Sequence, residues 1–142
     1  MIYYLDSSVL VKRFVHEDGS VAVRRLMRTA HHLATSSLAR VEIRSAVARV
    51  VRSRALAAKD AARALTRMER TLAEVTIVEA RGRTLELAGD LVGRGPLRAY
   101  DAVHLASALR LAHESGPALT FGCADAALTD AAVAEGLRIL VL

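Results

Sequence analysis

The sequence predicts an α/β protein: a parallel sheet of about five strands, flanked by helices in a three-layer arrangement. Three observations carry this. Short apolar runs that end at acids or turn residues alternate with longer segments of helical periodicity. Hydrophobic residues make up 53% of the 142, mostly Ala, Leu and Val, with few aromatics and no Trp, so the core is aliphatic. No linker-like, low-complexity or repeated stretch divides the chain, which reads as one domain over residues 1–142. Apolar strands joined through helices pair in parallel and need cover on both faces. Strand order is not legible in a single sequence.

In chain order, Ile2 to Asp6 is an apolar strand ending in a carboxylate. Ser7 or Ser8 is expected to N-cap a helix reaching Phe14, since a hydroxyl accepts from the first free backbone N–H groups. Glu17-Asp18-Gly19-Ser20 is a break, from which Ser20 or Asp18 caps a helix over Val21 to Thr29. His32 to Thr35 is a strand. Ser36 and Ser37 then cap a long helix from Leu38 to Arg54. Ala57 to Glu74 carries Leu65, Met68 and Leu72 at helical spacing, giving a helical hairpin with its predecessor. Val75 to Val78 reads as a buried strand and Arg83 to Val92 as a helix stopped by Gly93-Arg94-Gly95-Pro96. Ala99 to Glu114 reads as an amphipathic helix, Gly116-Pro117 as a turn and Ala118 to Phe121 as a strand. A short helix from Asp125 to Ala134, ended by Gly136, precedes a last strand, Leu137 to Leu142.

Bulk composition narrows the function. The formal net charge is +5, carried almost wholly by Arg, with Lys only at positions 12 and 59. A basic surface favours polyanions, nucleic acid first. The lone Cys123 excludes an internal disulfide and a cysteine-based zinc site. No apolar run approaches the roughly 20 residues of a membrane span, and the expectation is a cytoplasmic protein.

The informative residues are acids beside apolar segments, where a charge is costly unless it has a task. Asp6 ends the first strand. Glu42 lies early in the helix after the second strand, in SSLARVE. Asp101 lies in the first turn of the helix in LRAYDAVHLASAL. Asp125 follows the fourth strand in LTFGCAD. Each has an ordinary reading as a cap or a helix-dipole partner. All four, however, lead helices. In a parallel sheet the helices that follow strands begin above the carboxyl ends of those strands. Strand direction puts Asp6, Glu42 and Asp125 there; Asp101 has no strand immediately before it. Converging carboxylates repel without a cation between them, and oxygen ligands suit hard ions such as Mg²⁺ or Mn²⁺. Such ions activate water for phosphodiester cleavage.

On these motifs, YLDSSVLVK, SSLARVEIRSAVAR, LRAYDAVHLASAL and LTFGCADAAL, the sequence resembles PIN-domain proteins of the VapC toxin type over nearly its whole length. The resemblance implies a parallel sheet of order 3-2-1-4-5. It implies a Mg²⁺-dependent (or Mn²⁺-dependent) endoribonuclease that acts on RNA, a cognate VapB-like antitoxin and a homodimer. It also implies that Asp6, Glu42, Asp101 and Asp125 are the catalytic, metal-binding acids. Many relatives carry Ser or Thr where this chain has Cys123, and Asp130 competes with Asp125 from a helical turn further on.

Other residues have two readings. Ser8 positions water or metal beside Asp6, or caps. His104, one turn after Asp101, is a general base or a core histidine. Lys12, Arg13, Arg94 and Arg98 contact phosphates or are solvated charges, and Tyr100 is expected to pack. A haloacid-dehalogenase-type phosphatase needs a second Asp where Ser8 stands, and an integrin-like D-x-S-x-S site needs a Ser where Leu10 stands. Gly-rich phosphate loops and dinucleotide fingerprints are absent. A housekeeping PIN nuclease without an antitoxin and a non-catalytic RNA-binding PIN protein are the alternatives.

Overall fold

A computed structural model describes residues 1–116 and 118–141. Its strands are β1 Ile2–Leu5, β2 Leu33–Ser36, β3 Thr76–Val78, β4 Leu119–Gly122 and β5 Arg138–Ile139. Its helices are α1 Ser7–Leu10, continued by a 3-10 turn over Val11–Arg13, α2 Ser20–Thr29, α3 Ala39–Arg52, α4 Ala58–Glu74, α5 Arg83–Arg94, α6 Ala99–Ser115 and α7 Ala126–Ala134. The strands form one parallel sheet of order β3-β2-β1-β4-β5. This is the order the resemblance implies, with β1 central. The expected turn at Gly116-Pro117 and the end of the expected last strand at Leu142 involve residues outside those described.

The period-2 geometry of β1 splits the core in two. Tyr4 enters a cluster with Ala34, Leu105, Phe121 and Leu128 under α5, α6 and α7. Leu5 enters the opposite cluster, with Val9, Ile43, Val47 and Met68 under α1, α3 and α4. Burial of each such large apolar side chain contributes about 1.5–3 kcal/mol. Gly122 closes β4 where a Cβ would come within 3.0 Å of both Leu5 and Leu140, so a side chain there would push against both.

Several expectations are corrected. Asp6, rather than Ser7 or Ser8, N-caps α1, its carboxylate accepting from the Val9 N–H. Gly19 is the N-cap of α2 with no side-chain cap bond, and Ser20 instead accepts from Glu17 N–H and donates to the Val15 carbonyl. At α3 the Ser36 hydroxyl accepts only from Leu38 N–H, and Ser37 accepts from Ala80 N–H, tying β2 to the end of β3. β3 is a half-exposed edge strand, because among the described residues no strand pairs its outer side. β5 is only two residues long. α6 is not amphipathic in its first half: every residue from Ala102 to Ala108 is buried, as the small side chains let sheet and neighbouring helices close around it. Tyr100 is 62% exposed and does not pack.

Candidate active site

The central strand places the first acid. Asp6 N–H donates to the Gly122 carbonyl at 2.9 Å, extending the β1–β4 ladder by one residue. On the other side Thr35 Oγ1 donates to the Leu5 carbonyl at 2.7 Å. The backbone at Asp6 is therefore fixed from both neighbouring strands. The residue is 3% exposed. Ser8 Oγ straddles the carboxylate, 2.7 Å from Oδ1 and 2.9 Å from Oδ2, and accepts from Ala124 N–H at 3.0 Å. One hydroxyl thus joins Asp6 to the loop between β4 and α7. Burial raises the Asp6 carboxyl above the ordinary carboxylate value. Ser8, the charge of His104 and the Val9 N–H oppose that rise, and the charge of Asp101 adds to it. The carboxylate lies where negative charge is poorly solvated.

Glu42 comes from the layer on the other face, in the first turn of α3. Its Oε1 accepts from Ser7 Oγ at 2.8 Å and pairs with His104 Nε2 at 2.7 Å. His104 belongs to α6, on the opposite side of the sheet. The two layers therefore meet over the carboxyl end of β1, with Ser7 between them; Ser7 Oγ is also 3.1 Å from His104 Nε2. The ring's other nitrogen, Nδ1, lies 3.0 Å from the Tyr4 hydroxyl. Tyr4 stacks on Phe121 at 5.6 Å and meets His104 edge-on at 6.0 Å. Burial drives the Tyr4 phenol well above its ordinary value, so it keeps its proton.

The last two acids share a cation. Arg98, just before α6, lays Nε 3.1 Å from Asp101 Oδ2 and Nη2 3.6 Å from Asp125 Oδ2. Asp125 is also the N-cap of α7, its Oδ1 accepting from Leu128 N–H at 2.9 Å. Cys123 turns toward α7, its Sγ 3.2 Å from Thr129 Oγ1, and burial raises its thiol.

The four acids thus stand at the carboxyl edge of the sheet, Asp6 and Glu42 each with its own partners and Asp101 and Asp125 sharing Arg98. They do not close on one point: among the described residues, no group of three or more His, Cys, Asp or Glu side chains is drawn together closely enough to hold a metal ion. The donor set still has the chemistry a hard divalent cation takes, all carboxylate and hydroxyl oxygen. The buried Asp6 charge, its cost raised further by Asp101, favours a cation beside it. Of the cationic residues expected at phosphates, Lys12 pairs with Glu17 and the Asp18 carbonyl, and Arg94 pairs with Glu135. Arg13 lines a cleft with Arg24, Arg28 and His31 that also borders Leu33, at the start of β2. Only Arg98 of these four contacts the acids.

Sequence reasoning missed the Tyr4–His104 contact and the Ser7–Glu42 contact, and had Arg98 as a phosphate contact or a solvated charge rather than a partner of the acids. One signal was available for Tyr4: a phenol inside an apolar strand requires a hydrogen-bond partner once buried.

A parallel 3-2-1-4-5 sheet with acids along its carboxyl edge defines a class, and residues 3–122 match it: the chain belongs to the PIN domain family. Among curated proteins, Ribonuclease VapC46 of Mycobacterium tuberculosis is 38% identical over 137 residues, covering 96% of this chain and 95% of that protein. Among solved structures, VapBC2 from Rickettsia felis bound to a DNA fragment from their promoter is similar with a TM-score of 0.66 at 16% identity, over 99% of this chain and 98% of that one. VapC20 of Mycobacterium tuberculosis, a sarcin-ricin loop cleaving toxin, gives 0.66 at 16% identity over 95% of both chains. At such identity these two likenesses establish the fold.

Proposed function

We propose that the chain is a metal-dependent endoribonuclease, the toxin of a type II toxin–antitoxin system. The observation that carries this reading is the acid-lined carboxyl edge, with the buried Asp6 charge at its centre. The likeness to Ribonuclease VapC46 along nearly the whole of both chains supports RNA as the substrate. The likeness to VapBC2 supports a small VapB-like antitoxin as the partner, and a homodimer is the expected assembly. No described helix is long and apolar enough to cross a membrane, and a cytoplasmic location is proposed on the same family grounds.

Asp6, Glu42, Asp101 and Asp125 would hold Mg²⁺ or Mn²⁺. When bound, the ion supplies activation of water and neutralisation of the leaving oxygen. The chain's own residues prepare the site. Ser8 holds the Asp6 carboxylate against the β4–α7 loop, and Ser7 with His104 holds Glu42. Arg98 keeps a positive charge at the rim, on the side of Asp101 and Asp125, where a substrate phosphate would approach.

Incubation of the purified chain with total cellular RNA tests this. Mg²⁺ or Mn²⁺ should give discrete fragments bearing 5′-phosphates, and EDTA should stop their appearance. Equal cleavage in EDTA would remove the metal, and no cleavage with either ion would remove the nuclease.

A further inference from the structure

We infer that Tyr4, His104 and Ser7 form a relay whose task is to position Glu42, which rests on the reading of Glu42 as a metal ligand. The geometry is specific. A carboxylate only accepts, so the hydrogen at His104 Nε2 points to Glu42 Oε1 at 2.7 Å. In the neutral ring Nδ1 is then the acceptor, and the Tyr4 O–H, 3.0 Å away, donates to it. Glu42 thereby sets the tautomer, and the Tyr4 hydroxyl supplies the donor that Nδ1 then needs. Ser7 Oγ adds a second donor to the same oxygen at 2.8 Å. Among the described residues both hydrogen bonds to Glu42 fall on Oε1, and none falls on Oε2. The relay therefore occupies one carboxylate oxygen and leaves the other for a single-oxygen contact.

Burial makes this arrangement rigid. Tyr4 is 0% and His104 1% exposed, while the Glu42 side chain keeps 26% of its exposure. The fixed groups are inside and the group they hold faces the edge. Neither hydroxyl nor ring hydrogen-bonds the other three acids, so through hydrogen bonds the relay holds Glu42 alone. It also couples the two layers of the fold: Tyr4 belongs to the core under α6, His104 to the buried part of α6 itself, and Glu42 to the helix on the other face. His104 and Tyr4 are positioning residues. Groups that hold a metal ligand in this way affect metal affinity by about 10–100-fold when removed.

The experiment measures Mn²⁺ affinity by titration calorimetry, together with the His104 tautomer by ¹⁵N–¹H NMR. Three variants are compared: His104→Leu, His104→Gln and Tyr4→Phe. Wild type should show the Nε2–H tautomer alone. Tyr4→Phe should keep its stacking on Phe121, its fold and the Nε2–H tautomer, while the Nδ1 resonance shifts toward that of an acceptor without a donor. His104→Leu should bind Mn²⁺ about tenfold more weakly. His104→Gln, whose amide can still donate to Glu42, should recover most of that loss; a merely space-filling role would favour neither variant. Wild-type affinity in a folded His104→Leu, or an Nδ1–H tautomer in the wild type, would overturn the relay alone. Absence of Mn²⁺ binding by wild type, equal to that of Asp6→Asn, would remove the metal reading and the relay with it.

Discussion

Asp6 is where burial and charge conflict most directly. The residue is 3% exposed, and its carboxylate is held by one side-chain hydroxyl and one backbone N–H. Its folded-state pKa is raised, chiefly by burial. The folded protein therefore holds the Asp6 proton more tightly than the unfolded chain does. Stability falls as pH rises from the ordinary carboxylate range through the raised value, and the cost of the charge persists at neutral pH. Asp6→Asn removes that charge, and its amide oxygen still accepts from Val9 N–H. The variant should melt above wild type at pH 7 without divalent ions, and the gap should close in acid, below the ordinary carboxylate range. A variant that melts lower at pH 7 would mean the charge stabilises the fold. The same side chain that costs stability is then the one best placed for chemistry, the pattern expected where function and packing compete.

At the scale of elements, the ends of helices show how local chemistry is obeyed or overruled. α7 ends in a Schellman motif, with Gly136 at φ 84°: Gly136 N–H donates to the Val133 carbonyl and Leu137 N–H to that of Ala132. α3 ends in the same motif, with Arg54 N–H on Val51 and Ala55 N–H on Val50. Here the left-handed residue is Arg54, at φ 60°, where Cβ crowds the following carbonyl. Arg54→Gly should stabilise the protein by up to about 1 kcal/mol, the strain relieved less the extra entropy of Gly in the unfolded chain. For a chain of this size that is a rise in Tm of roughly 2–4 °C, readable by thermal melts. An unchanged or lower Tm would show that the turn between α3 and α4 depends on the Arg54 side chain. The first half of α6 is the opposite case. Its buried run from Ala102 to Ala108 has no polar face, yet it carries His104 to Tyr4 and Glu42, so its burial is what makes the relay rigid.

The molecule as a whole reads as two cores divided by one sheet, with acids gathered at the carboxyl edge and a net charge of +5 distributed elsewhere. Much of this was legible. The alternation of short apolar runs with helical segments located the strands and helices before β5 to within a few residues, since periodicity is a local property. The placement of Asp6, Glu42 and Asp125 at one edge followed from strand direction alone. What was not legible is set by distant neighbours. Asp6, Ser7 and Ser8 can all cap a helix. Which one does so depends on Glu42, 35 residues from Ser7, and on Ala124, 116 residues from Ser8. Tyr4 and His104 lie 100 residues apart, and nothing local to either names the other. β3 read as buried because its residues are apolar, but its place at the sheet edge is a property of strand order. The central claim is that the acid-lined edge is a divalent-ion-dependent ribonuclease site organised on Asp6. Its most direct test is single-turnover RNA cleavage by wild type and Asp6→Asn in Mg²⁺, with melting curves on both. The account predicts a loss of about a hundredfold or more in rate, the scale of several kcal/mol of transition-state stabilisation, in a variant that remains fully folded. Cleavage by folded Asp6→Asn at the wild-type rate would contradict it.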